Sequence, residues 1–227
     1  MTTPPAFTHR DPSDARFWDE RFAAGFTPWD AGAAPPALMR WLATLGPAQG
    51  RRVLVPGCGS GHEVAALDGA GFAVTAIDYS AQAVAQARTT LGEALASRCL
   101  RQADFFDCEA GWAAGGFELI FERALLAALP PSRWADWAAR VADLLPAGGT
   151  LAGLFVIDPA MAAQSPRRGP PFAAALPELH ELLDRHFALQ EAQPVPAAES
   201  LPVFAGKEMW MCWQRRPEAV PAHEPRD

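Results

Sequence analysis

The chain has 227 residues, half of them apolar, and a formal net charge of −7. That length suits one domain with a sizeable core and disfavours a second full domain. The acidic balance, without a run of Lys or Arg, disfavours a polymeric nucleic acid as substrate, because phosphates call for a basic footprint.

In chain order, residues 1–13 hold three prolines and little periodicity, and read as a loose arm. Asp14 to Ala24 reads as a helix capped by Ser13 or Asp14, with Phe17, Trp18 and Phe22 on one stripe. Gly25-Phe-Thr-Pro-Trp-Asp-Ala-Gly32 is a loop by its Gly and Pro content. A second helix follows Pro35-Pro36 and ends near Leu45-Gly46, so residues 14–46 form a helical cover.

Strands and helices then alternate. Arg52 to Val55 reads as a buried strand ending in Pro56-Gly57, and His62 to Ala70 as a helix closed by Gly71. Phe72 to Ile77 is a second strand, and Ser80 to Ala96 a long helix with Ser80 as cap. Cys99 to Gln102 and Phe117 to Phe121 are further strands. Ser132 to Leu145 is a helix capped by Ser132, and Thr150 to Ile157 a fifth strand. This alternation predicts a doubly wound, Rossmann-like α/β sheet of parallel units.

Residues 158–175 form a long Pro/Gly-rich loop, of the kind that is functional or disordered. Leu176 to Arg185 is a helix. Phe187 to Gln193 and Lys207 to Gln214 pair as a C-terminal antiparallel hairpin, and 216–227 reads as a disordered tail. One domain, with its core over 50–215, accounts for the chain.

Gly57-Cys58-Gly59-Ser60-Gly61 lies between a strand and a helix, where glycines let backbone approach a ligand. The dinucleotide fingerprint needs a third glycine after Gly61, and His62 stands there instead. The loop therefore suits S-adenosylmethionine, which has no pyrophosphate. Asp78, with Tyr79 beside it, ends the second strand, where a carboxylate can accept both ribose hydroxyls. Asp104-Phe105, after the third strand, suits adenine: the acid at the exocyclic amine, the ring against the base.

Cys58, Cys99, Cys108 and Cys212 show no metal-ligand spacing and read as apolar fillers in a reduced, cytoplasmic protein. No apolar run reaches bilayer length and no secretory signal is visible. No metal, membrane or nucleic acid partner is expected, and a monomer is the default.

The segments Phe17-Trp18 through Gly25–Gly32, Val53-Leu-Val-Pro-Gly-Cys-Gly-Ser-Gly61, Phe117-Glu-Leu-Ile-Phe-Glu-Arg123 into Ala128-Leu-Pro-Pro131, and Gly169-Pro-Pro-Phe172 together resemble the thiopurine S-methyltransferase family. That family includes bacterial members and a plant halide/thiol branch. The resemblance runs from about Phe17 to Gln214 and implies a class I methyltransferase fold. It implies that Trp18 and Trp29 lie over the cofactor, with Gly57, Cys58, Gly59, Gly61, Asp78, Tyr79, Asp104, Phe105 and Glu122 around it. It also implies that Arg123, with Glu122, borders the methyl-transfer site. Thr27-Pro-Trp-Asp30 is closer to the halide/thiol branch, which usually carries Asp-Tyr where this chain has Glu122-Arg123.

The expected reaction is methyl transfer from S-adenosylmethionine to a small soft nucleophile: a thiol, a thiopurine, a selenium or tellurium species, or a halide. An oxygen or carboxylate acceptor on the same fold, or a non-catalytic S-adenosylmethionine-binding module, are the alternatives. No His–acid pair is apparent near the motifs, and His62 reads as a helix-start residue rather than a catalyst. Arg123 either attracts an anionic nucleophile or is engaged by Glu122, Glu118 or Asp14. Arg167-Arg168 reads as solvated, and Trp134, Trp137, Trp210 and Trp213 as packing residues.

Overall fold

The structure, a computed structural model, describes residues 5–107 and 111–217. Cys108 and most of the tail read from sequence lie outside the described residues. A cover of two helices, α1 (Ala15–Ala23) and α2 (Pro36–Thr44), precedes the sheet. The alternating core follows as β1 (Arg52–Pro56), α3 (His62–Gly69), β2 (Ala73–Asp78), α4 (Ala81–Cys99), β3 (Leu100–Gln102) and β4 (Leu119–Arg123). It continues through α5 (Leu125–Ala128), α6 (Trp134–Leu144), β5 (Thr150–Val156), α7 (Pro159–Ala162) and α8 (Leu176–Leu183) to β6 (Phe187–Pro194) and β7 (Glu208–Arg215).

The seven strands lie in the order β3-β2-β1-β4-β5-β7-β6. The first five are parallel, and β7 runs antiparallel to both β5 and β6. The chain therefore returns past the edge and inserts β7 beside β5. Composition explains the choice: Glu208-Met-Trp-Met-Cys-Trp213 is apolar enough for an interior strand, whereas all but the first residue of β6 remain partly or fully exposed. Along each strand, side chains alternate between two cores. Leu54, Ile120, Leu151, Met211 and Trp213 face one, with Trp137. Val53, Val55, Phe121, Ala152 and Trp210 face the other, with Leu67.

Strand order reverses between β1 and β4, and a crevice opens at the carboxyl ends there. The cover is fastened over that crevice. Asp14 caps α1, its side chain accepting from the Arg16 N–H. Asp19 on α1 accepts from the Ser80 hydroxyl at 2.6 Å and the Gln82 N–H at 3.1 Å, docking α1 on the start of α4. Ser80 also caps α4.

Two local expectations are corrected. Ser132 does not cap α6: Pro131 starts a 3-10 turn over Pro131–Arg133, and α6 begins at Trp134 with no side-chain cap. The described part of the arm is not loose. The Thr8 and His9 N–H groups donate to Glu20 at 2.9 and 3.0 Å, and the Arg21 guanidinium lies 4.3 Å from the Phe7 ring centre and 3.2 Å from that of Phe17. These contacts join residues far apart in sequence, which periodicity does not reveal.

Candidate active site

The crevice is a cavity of about 600 Å³, within the range of small-molecule sites. Its floor is the turn from β1 into α3. Gly57 and Gly59, both at positive φ, present backbone to the cavity together with Cys58. Gly61 does not line it. A Cβ there would lie 3.3 Å from Ala87 and Leu91 of α4, so close packing of α3 against α4 calls for a glycine at this position. Cys58 ties the turn to β2, its N–H donating to the Ile77 carbonyl at 3.0 Å, and burial pushes its thiol up in pKa.

Asp78 is buried at the end of β2, one oxygen accepting from the Gly59 N–H at 3.0 Å and the other from the Ser80 N–H at 2.9 Å. Burial outweighs these donors and pushes its carboxyl up to about 6. The carboxylate thus braces the glycine turn while lining the cavity. Farther along, Phe105 is buried and Asp104 is exposed, its Oδ1 accepting from the Phe106 N–H at 2.9 Å. The Arg133 guanidinium covers the Phe106 ring, 3.9 Å from its centre.

The cover supplies an aromatic wall. The Trp18 and Trp29 rings meet edge to face at 5.4 Å, and Phe22 meets Trp29 at 5.9 Å. Two donors converge on the Pro12 carbonyl: Trp18 Nε1–H at 2.8 Å and the Tyr79 hydroxyl at 2.6 Å. The arm is thereby strapped across the cavity mouth, with Arg10, Pro12 and Ser13 in its lining.

At the far end, Arg123 Nη1 meets Glu63 Oε1 at 2.8 Å, each side chain only 12% exposed. Neither Glu122, Glu118 nor Asp14 is the partner. Glu118 accepts from the Arg52 N–H, and Asp14 is held by Arg16. Glu122 does not line the cavity. Residues 122 and 123 point to opposite faces of β4, so Arg123 faces the cavity and Glu122 faces the core near Phe155, Phe172 and Leu179. Its Oε1 accepts from the Leu126 N–H at 2.7 Å, its buried Oε2 has no partner among the described residues, and burial pushes its carboxyl up to about 8.

A His–acid pair is present after all: His62 Nε2 lies 3.3 Å from Asp30 Oδ1, and both line the cavity. Sequence reasoning also missed Glu63 and Phe22 as lining residues. The signal for His62 and Glu63 was their position directly after the glycine turn. From the Pro-rich loop, Gly169, Pro170 and Pro171 reach the cavity, while Arg167 is pinned to Glu178 at 3.0 Å and stays outside it. Trp134, Trp137, Trp210 and Trp213 are buried.

The chemistry of this lining fits S-adenosylmethionine: backbone exposed at two positive-φ glycines, a buried acid at the end of β2, and aromatic rings at both ends. Comparisons with known proteins agree. The model of the thiopurine S-methyltransferase family matches residues 13–216. A probable thiol methyltransferase 2 of Arabidopsis thaliana is 34% identical over 170 residues, covering 73% of this chain and 70% of that protein. A thiopurine S-methyltransferase of Pseudomonas paraeruginosa is 32% identical over 192 residues, covering 79% and 86%. Among solved structures, the magnesium protoporphyrin IX methyltransferase of Synechocystis with bound SAH superposes with a TM-score of 0.67 at 17% identity, covering 91% of this chain and all of that one. The 1,6-didemethyltoxoflavin-N1-methyltransferase of Burkholderia thailandensis does so with 0.66 at 20% identity, covering 94% of each. The fold is thus the doubly wound sheet expected from the strand–helix alternation and the methyltransferase fold that the resemblance implied, and the chain belongs to the thiopurine S-methyltransferase family, as an S-adenosylmethionine-dependent methyltransferase.

Proposed function

We propose that this enzyme methylates small soft nucleophiles, with thiols, thiocyanate-like anions and halides as the acceptor class. The observation that carries the reading is the far end of the cavity. There the largely buried ion pair Glu63–Arg123 lines a cavity of about 600 Å³ that Phe22, Trp29, Pro170 and Phe204 also line, a size suited to a small acceptor rather than a polymer. The thiol and thiopurine methyltransferases among its relatives support the same class.

Bound S-adenosylmethionine supplies an activated methyl group on a sulfonium. Gly57, Cys58, Gly59 and Asp78 hold it through the turn and ribose, with Tyr79 supporting the Asp78 end through Pro12. Phe105, Phe106 and Asp104 hold the adenine end. Trp18 and Trp29 close the cavity toward water and face positive charge with their rings, an interaction worth about 0.5–2 kcal/mol. Arg123 orients the acceptor by its charge, tempered by Glu63. Alignment and dryness do most of the chemical work, as expected when the nucleophile is already reactive.

A monomer in the reducing cytoplasm belongs to the same reading. Among the described residues, Met39 is the large apolar side chain left exposed, and Cys58, Cys99 and Cys212 are free thiols. No helix among them is long and apolar enough to cross a membrane. The test is twofold. S-adenosylhomocysteine at millimolar concentration raises the melting temperature, and labelled methyl transfers from S-adenosylmethionine to at least one of iodide, thiocyanate, benzyl thiol and 6-mercaptopurine. Absence of both results overturns the reading.

A further inference from the structure

We propose that His62, held by Asp30, is the base that removes the proton from protic acceptors, so that one cavity serves thiols through a proton transfer and halides or thiocyanate without it. This rests on the soft-nucleophile reading above.

The geometry is specific. His62 opens α3 directly after the glycine turn, and its ring lines the cavity. Its neighbour Glu63 pairs with Arg123, so the first turn of α3 places an imidazole and a carboxylate in the same cavity as Arg123. Its Nε2 lies 3.3 Å from Asp30 Oδ1. Asp30 is itself fixed: its N–H donates to the Thr27 carbonyl at 2.9 Å, and its Oδ1 accepts from the Gly32 N–H at 2.7 Å. A carboxylate on one ring nitrogen orients the imidazole and leaves the other nitrogen to take a proton. Asp30 also follows Trp29, so the same loop that brings the aromatic wall brings the carboxylate. The charged side chains lining the cavity include Arg21 and Asp30 from the cover, Glu63 on α3, Asp78 on β2 and Arg123 on β4.

For a thiol, the S–H bond breaks and its proton moves to the other imidazole nitrogen. The sulfur lone pair forms the new bond to carbon in place of the sulfonium's carbon–sulfur bond, whose electrons stay on the departing thioether. The imidazolium, facing Asp30, then returns its proton to water. Iodide and thiocyanate carry no proton to lose, so for them His62 has no chemical step to perform. A purely structural latch between α3 and the cover predicts something different: equal loss for every acceptor.

The experiment compares His62→Gln and Asp30→Asn with the wild type, using benzyl thiol and iodide as acceptors at one pH. The ratio of kcat/KM for thiol over iodide falls by roughly 100-fold in His62→Gln, the low end of what a positioned base contributes, and by a smaller factor in Asp30→Asn. The second readout is independent of turnover. In the full-length protein with ¹⁵N-labelled histidine and bound S-adenosylhomocysteine, saturating benzyl thiol shifts the His62 ring nitrogens toward imidazolium values, and saturating iodide does not. An unchanged ratio, or ring nitrogens that do not respond to thiol, overturns the assignment alone. Absence of wild-type turnover on both acceptors overturns the parent reading and this assignment with it.

Discussion

Glu63 and Arg123 meet at 2.8 Å across the far end of the cavity, both side chains nearly withdrawn from solvent. The glycine turn thus carries two consecutive side chains that each reach a different element: His62 to the cover and Glu63 to β4. The pair gives Arg123 a fixed direction and cancels much of its charge, so an anionic acceptor meets a tempered field rather than a bare guanidinium.

Glu63→Gln removes that compensation. The expected outcome is a lower KM for iodide and thiocyanate, by about three- to tenfold, corresponding to roughly 1 kcal/mol. The melting temperature falls at the same time, because a largely buried cation loses its partner. Arg123→Leu raises the same KM values by about tenfold. Steady-state kinetics with proton-free acceptors read both, and a KM that rises in Glu63→Gln contradicts the role given to the pair.

Asp78 carries a pH prediction for cofactor binding. Burial raises its carboxyl from 3.8 to about 6, so in the protein without ligand it gains a proton as pH falls through about 6. A ribose that donates to the ionised form then binds more weakly. Calorimetric titration with S-adenosylhomocysteine at pH 5 and pH 7.5 shows the weaker binding at pH 5, and Asp78→Asn flattens the difference. Asp78→Ala weakens binding at least tenfold. Unchanged affinity in Asp78→Ala places the ribose elsewhere.

Glu122 makes the opposite kind of prediction, about stability alone. Its folded-state value of about 8 lies above the ordinary 4.5, so the folded protein holds the proton more tightly than the unfolded chain. Its contribution is fully present below about pH 4.5 and is lost as pH rises toward 8. Melting temperature in the wild type therefore declines across this window, and Glu122→Gln, which keeps the bond to the Leu126 N–H, removes this part of the decline. A variant whose profile parallels that of the wild type contradicts a buried, neutral Glu122.

The strap over the cavity depends on the Pro12 carbonyl, which accepts from both Trp18 and Tyr79. Replacing both donors, in the double variant Trp18→Phe and Tyr79→Phe, costs two hydrogen bonds of about 1 kcal/mol each. S-adenosylhomocysteine is expected to bind three- to tenfold more weakly, and the segment before α1 to become more open to protease. Tyr79→Phe alone shows a smaller change in both. Equal affinities throughout contradict a role for the strap in holding ligand.

The sheet was legible because its strands are short apolar runs closed by Gly, Pro or a capping Ser, as at Val53–Gly57 and Ile77–Ser80. Position along the chain also announced Asp78 and the glycine turn, since the crevice of such sheets lies at the strand ends. What stayed hidden was which residues turn inward and which meet across long separations. Glu122 and Arg123 look equivalent in a row of letters, yet the strand's alternation sends one to the core and the other to the cavity. Gly61 repeats Gly57 and Gly59 in sequence but packs against α4. Asp30 with His62, Arg123 with Glu63, and Pro12 with Tyr79 join positions on separate elements, and only the fold brings them together.

The most direct test of the account compares a thiol with the alcohol of the same shape. The rate of methyl transfer from S-adenosylmethionine to benzyl thiol and to benzyl alcohol is measured in the wild-type protein, with iodide as a proton-free reference. The account predicts turnover of the thiol and of iodide and none of the alcohol. Turnover of the alcohol with neither thiol nor iodide consumed would contradict it.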